Sequence, residues 1–204
     1  MARQRQVKKA DERKLELVNS ARRLFFTRGY AQTTITDIIE DSEVSKGLFY
    51  YYFGSKEEIL DEIVQQLIAH DVEVLTAVMG DASLTVPQRL MGMLRRHRSL
   101  MADSAGHVTA QLKAIANPEI VIRTIRQTVL HLTPLFTRVV EQGTAEGIFN
   151  IQDPEVCLEV LLNAYTFDAV FEDGAHLIGK ANAFRRVFER TLGAAPMALD
   201  VPET

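Results

Sequence analysis

Ser45-Lys46-Gly47-Leu48-Phe49-Tyr50-Tyr51-Tyr52-Phe53 sets five consecutive aromatic residues behind a serine, a lysine and a glycine. In a helix, Phe49, Tyr52 and Phe53 fall at i, i+3 and i+4 and form one apolar stripe that can be buried. Lys46 and Tyr50, four apart, then point the other way, with Ser45, Leu48 and Tyr51 beside them. That outward set suits nucleic acid: a cation and phenol hydroxyls for phosphate oxygens, a serine hydroxyl for a base edge, and a leucine for a thymine methyl. Gly47 adds no side chain, so another backbone can come close. Taken alone, an aromatic run fits a plain core equally well, and the flanks decide between the two readings.

Upstream, Thr34-Ile35-Thr36-Asp37 has the spacing of a capping box, and Ile35, Ile38 and Ile39 give the short helix after it a buried side. Asp41-Ser42-Glu43-Val44 is polar and brief, which predicts a turn with Val44 returning to the core. Ser45 then caps the aromatic helix. Two short helices joined by a tight turn, the second exposing polar and aromatic groups, make a helix-turn-helix. Downstream, Ser55-Lys56-Glu57-Glu58 is a second capping box and starts a long helix. The free amide hydrogens of a helix N-terminus attract phosphate, and a lysine there adds to that attraction. The candidate DNA-contact residues are Thr34, Thr36, Ser45, Lys46, Gly47, Leu48, Tyr50, Tyr51 and Lys56.

These residues carry a resemblance. Thr34, Ile35, Ile38, Val44-Ser45-Lys46-Gly47, Phe49-Tyr50-Tyr51-Tyr52-Phe53 and Ser55-Lys56, with Ala21, Leu24, Phe25 and Gly29 upstream, resemble the signature of the tetracycline-repressor (TetR) family of bacterial transcriptional regulators. The resemblance covers about a quarter of the chain. It implies a homodimer that binds palindromic operator DNA, represses transcription and is released by a small effector in a larger helical domain. One departure stands out. The family usually has Ala-Gly where this chain has Ser42-Glu43. Glycine permits positive φ, whereas glutamate there stores strain or forces a different turn, and it brings a negative charge close to DNA.

The remainder of the chain fits a soluble, all-α protein of 204 residues, long enough to bury a real core. Net charge is −4, but residues 1–56 hold 11 Lys and Arg against 7 Asp and Glu, while the rest hold 12 against 20. A basic head on an acidic body orients one end towards DNA. No apolar run approaches membrane-spanning length and the N-terminus lacks a signal-peptide stretch, so the expected location is cytoplasmic, with no membrane partner. The single cysteine, Cys157, excludes an intramolecular disulfide and is read as a core residue.

Residues 1–10, with Arg3, Arg5, Lys8 and Lys9, read as a flexible basic arm. A first helix is expected from near Asp11 to Arg28, with Leu17, Val18, Ala21, Leu24 and Phe25 inward. Residues 11–56 then form the DNA-binding head. Residues 57–193 form a helical ligand-binding and dimerisation domain, and 194–204 a frayed tail. Within the larger domain, helices are expected from Lys56 to Met79, from Thr85, within 106–116, from Pro118 to about Gln142 with a kink at Pro134, from Pro154, and from His176 to Leu192. The helix after Pro154 is apolar nearly all round, so a second subunit is expected to cover one side. Dimer candidates are Val160, Ala164, Phe171, Leu177, Ala181, Phe184 and Phe188.

A glycine-rich phosphate loop, a nucleophile elbow and a histidine pair at metal spacing are all missing from the sequence, so no catalytic residue, metal or cofactor is assigned. His97 lies on an apolar stripe among methionines and leads the candidates for polar contact with an effector; the others are Met101, Gln111, His131, Asn163, Tyr165 and Asp168. Core hydrogen bonding is the alternative for each. For the whole chain, a ligand-independent nucleoid-type protein, or a helical enzyme or interaction module that lost operator binding, stays open beside the regulator.

Overall fold

The computed structural model describes the backbone of residues 2–105, 118–171 and 174–199; the side chains of residues 2–11, 101–105, 171, 174–179 and 181 fall outside the description. Among the described residues the regular structure is helical: α1 Ala2–Arg28, α2 Ile35–Asp41, α3 Lys46–Tyr52, α4 Lys56–Met79, α5 Val86–Ala105, α6 Pro118–Ala145, α7 Pro154–Phe171 and α8 Gly174–Thr191. The helix expected within 106–116 lies outside the described residues.

Local signals set most of the boundaries. Thr34 accepts from the amide of Asp37 and Asp37 reaches back to the Thr34 amide, completing the box that starts α2. Ser55 accepts from the Glu58 amide, but the Glu58 carboxylate takes the amide of Gly54 rather than that of Ser55. Thr85 and Gln88 form the box at the head of α5. Helix α6 runs through Pro134, which is exposed. Proline has no amide hydrogen for the Leu130 carbonyl, and on an exposed face solvent can take its place.

Two expectations about the ends change. Helix α1 begins at Ala2 rather than near Asp11, so the basic segment 1–10 expected as an arm is helical from its second residue. Alanine, arginine, glutamine and lysine are all good helix formers, and nothing between Ala2 and Asp11 breaks the helix. At the other end Leu199 is buried, and its amide donates to Glu189 Oε1 at 3.1 Å. The tail up to Leu199 therefore docks on α8 instead of fraying, because one leucine and one buried carboxylate both find partners there.

The first three helices and the start of α4 enclose a small core. Leu17, Val18, Ala21, Leu24 and Phe25 of α1 meet Ile38, Val44, Phe49, Phe53, Ile59 and Leu60, all buried. Past that point α4 continues as one rod of 24 residues. It packs on α5 and α6, and α6 lies along α7. Phe136, Leu132, Leu90, Met93, Leu158 and Phe188 occupy this second core with almost no exposure. The two cores share one continuous helix.

Candidate nucleic-acid interface

Helix α3 is seven residues long and divides as its spacing predicts. Phe49 and Phe53 are buried and Tyr52 is half-buried against the core. The other side carries Ser45, Lys46, Gly47, Tyr50 and Tyr51, all exposed, and Tyr51 reaches 77%. Leu48 is only half-exposed and packs on the core, so its reach outward is smaller than the sequence suggested. Ser45 Oγ accepts the Leu48 amide at 3.2 Å while remaining exposed. A Cβ added at Gly47 would meet nothing of the protein within 4 Å. The fold itself therefore does not require a glycine there.

Thr34 and Thr36 flank the start of α2, both exposed. Arg28 reaches Asp37 at 3.4 Å, and the Thr34 bonds hold the Asp37 carboxyl below its usual range. Asp41, at the end of α2, takes hydrogen bonds from Arg23 and Ser20 of α1 and is likewise held low, mainly by Arg23. These bonds fasten α2 to α1 and leave α3 facing outward. Lys56 turns the other way: its ammonium donates to the carbonyls of Tyr30 and Thr33.

Glu43 has φ +53, the left-handed conformation that the sequence raised as one outcome. The turn keeps its geometry, and the glutamate bears the strain, about 1–2 kcal/mol for a residue with a Cβ. Glu43→Gly is expected to raise stability by about 1 kcal/mol, strain relief exceeding the extra unfolded-state entropy of glycine. Thermal unfolding measures this; an unchanged or lower midpoint would mean that the turn relaxes around glutamate at no cost.

The effector candidates do not converge on one site. His97 is fully buried, with Nδ1 3.1 Å from Asp71 Oδ2 of α4 and Nε2 3.3 Å from Thr166 Oγ1 of α7. Tyr165 is buried beside it, donating to the Leu94 carbonyl at 3.2 Å, and burial pushes its phenol pKa up. His131 is exposed and bonded to the Gln127 carbonyl, Asn163 bonds Glu159 one turn back, and Asp168 pairs with Lys180 at 2.8 Å. Gln111 and the side chain of Met101 lie outside the described residues.

The dimer candidates also divide. Val160 is 65% exposed and Ala164 is exposed, but Phe184 packs edge-on against Tyr165 and Phe188 is buried within its own chain. Phe188 is thus a core residue rather than a partner contact. The side chains of Phe171, Leu177 and Ala181 lie outside the description. Val156, Phe167 and Val187, which the sequence reading did not single out, are exposed as well. Positions 156, 160, 164 and 167 follow helical spacing and were the available signal. Cys157 is half-buried, not a core residue, with Sγ 3.7 Å from the Gln152 carbonyl.

Among the described residues, no helix is long and apolar enough to cross a membrane.

Comparison with known proteins places these features in context. Residues 17–63, the whole of the helix-turn-helix and its supports, match the pattern described as bacterial regulatory proteins, tetR family. The HTH-type transcriptional regulator HbdR of Aromatoleum sp. (strain CIB) is 35% identical over 113 residues, 47% of this chain and 49% of HbdR. The chain thus spans about half the length of that relative. A transcriptional regulator of the TetR/AcrR family from Thermobifida fusca superposes with a TM-score of 0.62 at 25% identity, covering 79% of this chain and 86% of that one. RolR, solved with resorcinol, superposes with a TM-score of 0.66 at 21% identity over 97% and 98% of the two chains, a likeness of fold. Residues 17–63 thus carry the sequence pattern of the tetR family of bacterial regulatory proteins, and the rest of the chain shares the fold of the TetR-type regulators it superposes on.

Proposed function

We propose that this TetR-type regulator binds palindromic operator DNA as a homodimer, acts as a repressor, and is released by a small, largely apolar effector. The observation that carries the reading is the outward face of α3: Lys46, Gly47, Tyr50 and Tyr51 stand exposed on a helix whose opposite side is anchored by fully buried Phe49. Residues 11–56 serve as the reading head and 57–193 as the effector and dimerisation body. Ser45, Lys46, Tyr50 and Tyr51 meet phosphates and base edges, Thr34 and Thr36 meet the adjoining backbone, and Leu48 offers a methyl contact at the rim. Two-fold symmetry sets the two α3 helices roughly 34–36 Å apart, one turn of DNA. Exposed apolar residues along α7 support the dimer, and the resorcinol found with RolR, a neighbour in fold, supports a small-molecule effector. His97 and Tyr165 are committed to internal bonds, so polar contact with the effector falls to other groups.

Selection of bound duplexes from a random-sequence pool at near-physiological salt tests the reading. A two-fold-related consensus is expected; uniform weak binding would favour the nucleoid-type alternative. Gly47→Ala sharpens the test because its two effects have opposite signs. Alanine in place of an exposed helical glycine is expected to stabilise the protein by about 0.5–1 kcal/mol. It is also expected to weaken binding to the selected duplex, since the new methyl enters the space the DNA backbone approaches. A more stable protein with undiminished affinity would show that α3 does not approach DNA at Gly47.

A further inference from the structure

Lys56 opens α4, yet its charge is spent inside the protein. Nζ donates to the carbonyl oxygens of Tyr30 at 2.8 Å and Thr33 at 2.9 Å, and lies 4.1 Å from the centre of the Tyr30 ring. An ammonium has three N–H donors, so two are committed to the carbonyls, and the aromatic face attracts the charge from a third side.

The cup around this ammonium is rigid. Tyr30 is buried, edge-on to Phe25 at 5.0 Å, and its hydroxyl donates to Glu57 Oε1 at 3.0 Å. Burial first, and then that hydrogen bond, hold the phenol proton well above the usual tyrosine range. Thr33 is 1% exposed, and its hydroxyl donates to the Gly29 carbonyl at 2.8 Å. The loop between α1 and α2 therefore closes around Lys56 and delivers the next residue, Thr34, as the N-cap of α2. Without the ammonium, two part-buried carbonyls lose a charged donor and the loop loses its tie to α4.

We propose that Lys56 is a positioning residue for DNA binding: it clasps the α1–α2 loop to α4 and so places Thr34 and the start of α2, rather than neutralising a phosphate. The proposal rests on the operator reading above and changes one residue's part in it. Lys46, exposed on α3, keeps the role of phosphate contact.

The two roles differ in salt dependence. Each neutralised phosphate adds about 0.9 to the slope of log K against log salt. A clasp adds nothing of its own. The probe is the tightest duplex recovered from the random pool, titrated with the full chain as Lys56→Met, Lys56→Arg and Lys46→Ala. Lys56→Met keeps the aliphatic stem and removes the donors; it is expected to bind about tenfold more weakly with the native slope, as the loss of a charge-assisted pair of hydrogen bonds predicts. Lys46→Ala is expected to lower the slope by about 0.9. In the DNA-free protein, backbone amides at Thr33 and Thr34 should exchange faster in Lys56→Met, and Lys56→Arg should restore most of both the exchange protection and the affinity.

A slope lowered by about 0.9 in Lys56→Met overturns the proposal, as does undiminished affinity. Should Lys56→Met fold poorly, the native ammonium protons decide: slow exchange with water before DNA is added, unchanged by DNA, fits the clasp, and fast exchange that slows only on DNA binding overturns it. Failure of the native chain to bind any duplex overturns the operator reading instead, and the exchange data from the free protein tell that failure apart from a loose loop.

Discussion

Val160→Asp is expected to yield monomers that bind operator DNA about 10²–10⁴-fold more weakly than the native protein. Val160 is 65% exposed, Val156 62% and Phe167 52%, with exposed Ala164 between them and Val187 of α8 at 48%. Apolar side chains at that spacing on an outer helix face form a continuous stripe that a monomer gains nothing by exposing. A second copy presenting the same face would bury it, and the contact is then isologous, so one aspartate places a charge on each side of the seam. Two heads held together make the second half-site contact intramolecular, and that advantage is what the monomer loses. Because Val160 is exposed in the chain, the substitution is expected to leave helicity and monomer folding intact. Sedimentation and operator titration check both halves. If the variant still sediments as a dimer, α7 is not at the seam.

His97→Leu is expected to cost about 3 kcal/mol of stability, and pairing it with Asp71→Leu to recover much of that loss. His97 joins three helices: it lies on α5, with Asp71 of α4 and Thr166 of α7 at hydrogen-bond distance from its two ring nitrogens. The Asp71 carboxylate accepts at Nδ1, which makes that nitrogen the donor. With the ring neutral, Nε2 then accepts from the Thr166 hydroxyl. Removing the ring alone leaves a largely buried carboxylate and a buried hydroxyl facing leucine. Replacing both partners by apolar groups removes the orphaned carboxylate as well as the bond, which is why the double variant is the less damaged one. Chemical denaturation of the two single variants and the double completes the cycle. A neutral His97→Leu would mean that the imidazole is dispensable to the core and would return it to the effector candidates.

What the sequence determined by itself was local. The box at Thr34, the helix start at Thr85, the cap at Ser45 and the stripe of Leu17, Val18, Ala21, Leu24 and Phe25 act within a turn or two of helix, so residue spacing is enough to read them. Phe49 inward and Tyr51 outward follow from the same arithmetic. At Glu43 the sequence left two outcomes, strain or a different turn, and the structure took the positive φ. Tertiary structure decided whatever depends on the element that lies opposite. The Lys56 ammonium could have faced DNA, but turned to carbonyls 23 and 26 residues away. His97 found partners 26 and 69 residues away and became core. On α7 the pattern showed apolar residues nearly all round and on α8 a single stripe, and only packing sent Leu161 and Phe188 inward while leaving Val160 and Phe167 outside. An amphipathic period states that a face is buried; it carries no information about which surface buries it, and that choice is made by long-range contacts among whole helices.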